Sequence, residues 1–98
     1  MKKVIVSNNW TTSVNIKNSY PDIYMNLTTD NFALEAYRLY ANFRDYPYST
    51  SVYPTISSYN SSTGVLTMSG KNSITWSGGQ LGTCTATVYI RIVMFYIE

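Results

Sequence analysis

The chain has 98 residues, ten of them tyrosine and none histidine, and a net charge of only +2 from seven basic and five acidic side chains. That length makes one domain around a single core, residues 1–98. The weak, dispersed charge excludes an electrostatic footprint for nucleic acid. The missing histidine removes Ser-His and Cys-His nucleophile arrangements and the usual zinc ligand.

Lys3 to Ser7 reads as a first short strand, stopped by Ser7-Asn8-Asn9. The apolar run after Met1-Lys2-Lys3 is only Val4-Ile5-Val6, too short for a secretory signal peptide, so synthesis in a cytoplasm is expected. Trp10 to Lys17 alternates as a second strand, with Trp10, Thr12, Val14 and Ile16 on one side. After the turn cluster Asn18 to Asp22, Ile23 to Leu27 is expected to be a third strand.

Phe32 to Phe43 is open to two readings. Asp30 or Asn31 could cap a helix in which Phe32, Ala36, Tyr40 and Phe43 recur at helical spacing. Composition and the β-rich context favour a strand. Arg44 to Ser51 reads as a tyrosine-rich loop, and Val52 to Tyr59 as a strand whose Pro54 demands an edge position or a bulge. Asn60 to Gly64 is a hairpin connection, Gly64 being suited to positive φ. Val65 to Ser69 pairs back, Ser73 to Trp76 is short, and Ser77 to Gly82 is a loop lacking the Lys-Ser/Thr of a phosphate-binding turn.

Thr83 to Ile97 is the longest strand. Cys84, Ala86, Val88, Ile90, Ile92, Met94 and Tyr96 share one face; Thr85, Thr87, Tyr89, Arg91, Val93, Phe95 and Ile97 share the other. Its second half is apolar on both faces, so the rest of the domain or another subunit must cover the second face. Arg91 and the alternation argue against a membrane-spanning helix. Cys84, the single cysteine, reads as a buried structural thiol. The fold class expected is all-β, an antiparallel sandwich of about seven or eight strands.

No catalytic constellation is legible. Asp22, Asp30, Glu35 and Asp45 are the acids available for paired-carboxylate chemistry, and nothing in their spacing brings two together. No enzyme activity, cofactor or metal is expected. Tyr37-Arg38-Leu39-Tyr40 and Phe43-Arg44 interleave rings with cations, which reads as alternating core and surface rings beside solvated arginines. Nucleic acid and membrane are not expected partners. The residues expected to form a subunit contact are Val93, Phe95 and Ile97, with Tyr46, Tyr48 and Tyr53 of the tyrosine-rich loop second. The alternative is a module that binds host-surface glycan on Trp10, Trp76 and the Tyr46 to Tyr53 rings.

Three stretches add a resemblance: Asn26-Leu27-Thr28-Thr29-Asp30-Asn31-Phe32, then Ser58 to Gly70, then Thr85 to Ile97. Together they cover roughly a third of the chain, and they resemble, in order, small β-rich structural proteins of bacteriophage virions. The resemblance implies a β-hairpin at Tyr59 to Thr67 and a strand after Phe32. It also implies a virion component, in the tail or baseplate or as a capsid-surface accessory, that is made in the host cytoplasm. Such a component would be a homo-oligomer docked to other virion proteins. The resemblance carries no catalytic residue, and with Met1 opening the first strand it implies a small accessory subunit rather than a long fibre.

Overall fold

The computed structural model describes residues 1–42, 49–51, 54–77 and 83–97. Its organising element is the C-terminal strand. The strands are β1 (Lys2–Ser7), β2 (Ser13–Asn15), β3 (Phe32–Asn42), β4 (Ser49–Ser51), β5 (Thr55–Asn60), β6 (Val65–Ser69), β7 (Ser73–Ser77) and β8 (Thr83–Tyr96). All pairing is antiparallel and there is almost no helix. β8 is the hub of a five-stranded sheet, and β2, β6 and β5 form a three-stranded one. β3 runs along one side of β8, from Phe32 opposite Met94 to Asn42 opposite Thr85. The other side is shared: β1 takes Ile92 to Tyr96 and β7 takes Thr83 to Thr87.

Only six of these strands reach five residues, fewer than the seven or eight expected. Two turn-rich segments account for the difference. In Trp10 to Lys17 only Ser13–Asn15 pairs. The Asn15 side chain then accepts the Asn18 N–H at 3.2 Å and starts a single helical turn, α1 (Ile16–Ser19). In Ile23 to Leu27 the chain forms a 3₁₀ turn, Tyr24–Asn26, begun by hydrogen bonds from the Ile23 and Tyr24 N–H groups to the Tyr20 carbonyl. Leu27 is buried and Ile23 packs beside the core without a ladder. Apolar side chains can thus reach a core from turns, which alternation alone cannot distinguish from a strand.

Phe32 to Asn42 is a strand, not a helix. The capping residue upstream is Thr28, whose hydroxyl accepts the Asp30 N–H while the Asn31 side chain accepts the Thr28 N–H, closing a capping box around the 3₁₀ turn Thr29–Asn31. Pro54 stands just before β5, which lies at the edge of the small sheet and shifts register between Ile56 and Ser58. In the β5–β6 hairpin Gly64 has φ +76° and its N–H reaches the Asn60 carbonyl at 2.7 Å. The Asn60 side chain accepts the Ser62 and Thr63 N–H groups.

One core joins the two sheets. Leu66 and Met68 from β6 meet Phe32 from β3 and Ile92 and Met94 from β8, with Ile16 and Leu27 contributed by the turns. The Phe32 and Tyr59 rings meet tilted by 41° with centroids 5.0 Å apart, and the Tyr59 hydroxyl donates to the Tyr24 carbonyl. Burial pushes the Tyr59 phenol up, with Tyr24 adding to the shift. Each large aliphatic buried here stabilises the fold by about 1.5–3 kcal/mol. The β8 residues of this shared core lie towards its C-terminal end, so its N-terminal half, with β7 and β4, extends beyond as an arm. The molecule measures 54 × 21 × 18 Å.

Candidate functional site on the outer sheet face

Alternation along β8 sends Ile92 and Met94 into the core and leaves Tyr89, Arg91, Val93 and Phe95 on the outer face. Register decides what surrounds them. Val93 lies between Ile5 of β1 and Ala33 of β3; Phe95 lies opposite Lys3, and Arg91 opposite Glu35. Lys3 and Glu35 therefore sit at diagonal corners around Val93. Their side chains meet across β8, with Lys3 Nζ donating to Glu35 Oε2 at 2.7 Å.

This ion pair spans Val93, which is only 1% exposed. The doubly apolar end of the strand is covered here by the chain's own side chains, so Val93 is not available as a contact residue. An aliphatic lysine stem can cover apolar surface while its charge stays in water. Sequence spacing could not show this, because Lys3 and Glu35 are 32 positions apart and meet only through the register.

The other expected contact residues separate. Phe95 is half-buried on the outer face, with Lys3 Nζ 5.9 Å from its ring centroid. Ile97 is 78% exposed and lies past the last strand. It lines a shallow cleft with Ile23, Asn26, Leu27, Asn31 and Tyr96. Tyr46, Tyr48 and Tyr53 lie outside the described residues. Trp10, expected as a glycan platform in the alternative reading, is half-buried and packs against the core.

Further along the outer face is a group not anticipated as a unit. A register shift between Ala36 and Arg38 makes Tyr37 the extra residue of a β-bulge. The Arg91 guanidinium lies 4.2 Å from the Tyr37 ring centroid, and that of Arg38 lies 5.3 Å from the Tyr89 ring centroid. Tyr37 and Tyr89 are 6.3 Å apart and tilted by 54°. The sequence signal was the interleaving of rings with arginines. Of that motif, Tyr37 and Arg38 are exposed, as a surface ring beside a solvated arginine would be; what the spacing did not show is that Tyr89 and Arg91 of β8 join them.

The electrostatics centre on Glu35. The hydrogen bond from Lys3 holds its carboxyl below the usual carboxylate range; desolvation opposes this, and the charges of Lys3 and Arg91 reinforce it. Arg91 is 3.8 Å from Glu35 Oε1, too long for a hydrogen bond, and its buried Nε has no partner among the described residues.

Chemically, this face can present rings and guanidinium edges to another surface. Two described clefts, of about 90 and 210 Å³, are below the roughly 300 Å³ at which small-molecule sites begin. Among the described residues no group of three His, Cys, Asp or Glu side chains could hold a metal ion, and no helix is long and apolar enough to cross a membrane. Comparison with known protein families, with curated proteins and with solved structures finds no match to the chain.

Proposed function

We propose that the chain is a non-enzymatic structural subunit, folded as a β-sandwich, that works by assembly with copies of itself and with neighbouring proteins of a bacteriophage particle. The observation that carries the assembly reading is the outer sheet face. Ile5, Tyr37 and Tyr89 are each at least 38% exposed there, with Phe95 half-buried among them. Aromatic rings and arginines are the side chains most enriched at protein contacts. A core shared between two antiparallel sheets supports the sandwich. The particle, and a place in its tail, baseplate or capsid surface, rest on the resemblance of the three segments named above.

Light scattering after size exclusion at micromolar concentration tests self-assembly; a stable trimer, pentamer or hexamer is expected, and a clean monomer would overturn it. Phe95→Asp should reduce that mass while keeping the far-UV circular dichroism of the parent. Val93→Asp should instead lose the folded spectrum, because it would put a carboxylate where the valine is only 1% exposed.

A further inference from the structure

Among the described residues, the arginine–tyrosine group carries more cation than its surroundings neutralise: Lys3, Arg38 and Arg91 share the outer face with one described carboxylate, Glu35. Only Lys3 meets that carboxylate at hydrogen-bond distance. Arg91 reaches it loosely, and Arg38 has no carboxylate within ion-pair distance among the described residues. Both guanidinium groups are held against rings, so their donors are placed before any partner arrives.

We infer that this face docks an extended acidic segment of a partner protein, one with carboxylates at alternate positions. The inference rests on the reading of the face as a protein contact and names the chemistry of the partner. Spacing supports it. Arg38 stands opposite Tyr89, two residues along β8 from Arg91. The corresponding rise is roughly 6.6–6.8 Å, the separation at which an extended chain presents side chains i and i+2 on one side. The guanidinium fork suits carboxylate oxygens.

A sugar ring fits less well. The two tyrosines are tilted by 54°, so they form no flat platform, and each already has an arginine over its ring.

The test uses two capped peptides of equal charge, Ac-Glu-Ser-Glu-Ser-Glu-NH₂ and Ac-Glu-Glu-Ser-Ser-Glu-NH₂, the second with no two carboxylates at i and i+2, and polygalacturonate as the anionic polysaccharide. Arginine Nε–H and tyrosine ring resonances are followed by NMR. The alternating peptide is expected to move the signals of Arg38, Arg91, Tyr37 and Tyr89. It should bind several-fold more tightly than the peptide lacking that spacing, and should weaken with salt as charge is screened. Arg38→Gln should weaken it about tenfold. Lys17→Gln, which removes the same charge beside Tyr24 on another element, should leave it unchanged.

Absence of shifts, equal affinity for the two peptides, equal loss in both variants, or tighter binding of polygalacturonate at these groups would each overturn the inference. Light scattering on the same samples separates the two readings. An oligomer that ignores the alternating peptide keeps assembly and removes the acidic partner. A monomer that binds it keeps the partner and removes self-assembly.

Discussion

At the scale of single residues, Lys3 has more influence than its exposed position suggests. Its ammonium holds Glu35 ionised, and the pair they form ties β1 to β3 across β8, where Val93 is buried. The sign of the pH effect follows from the direction of the shift. Because the folded carboxyl ionises below its usual range, the contribution of the pair is present at neutral pH and fades as pH falls through the folded pKa. Lys3→Gln should raise the Glu35 pKa toward the ordinary glutamate value, read by the ¹³C chemical shift of its carboxyl carbon during acid titration. An unchanged pKa would mean that Arg91, not Lys3, sets the ionisation.

At the scale of elements, the β5–β6 hairpin and α1 lock onto each other through one glycine. The Ile16 N–H donates to the Gly64 carbonyl at 2.7 Å, and a Cβ at Gly64 would lie 2.7 Å from Lys17 Cβ. Positive φ and close approach therefore both require glycine here. Gly64→Ala should cost about 1–3 kcal/mol from backbone conformation alone. It should lower the thermal midpoint by several degrees, about 4–8 °C for each kcal/mol in a chain of this size. A midpoint within a degree of the parent would mean that the hairpin and α1 part at little cost.

That hairpin was legible in the sequence because Asn60 to Gly64 carries turn chemistry that few other conformations accept. The alternation of β8 was legible for a related reason: a period of two from Thr83 to Arg91 has no helical counterpart. Ile23 to Leu27 misled because Ile23, Met25 and Leu27 alternate as in a short strand, yet the segment is a turn that leaves Met25 exposed. The outer-face group was hidden more deeply. Tyr37 joins Arg91 there through a one-residue bulge, and nothing local marks where an extra residue enters a strand.

At the scale of the whole molecule, the fold is long for its mass. The radius of gyration is 16.2 Å, whereas a compact chain of this length has about 13 Å. Small-angle scattering of the dilute protein should show the elongation, with a skewed distance distribution reaching beyond 50 Å. A symmetric distribution ending near 40 Å would mean that the arm folds back in solution.

The central position of β8 also sets the order in which the molecule can fold. Both β1 and β3 take their ladder partners from β8, and both precede it in the chain; Lys2 must find Tyr96. While the chain is being made, those two strands have no ladder until β8 leaves the ribosome. The β5–β6 hairpin can form early, but the larger sheet must close its longest loop at the end. Such non-local topologies fold in milliseconds to seconds rather than microseconds. A nascent chain stalled before Thr83 would present two unsatisfied strands to whatever it meets first.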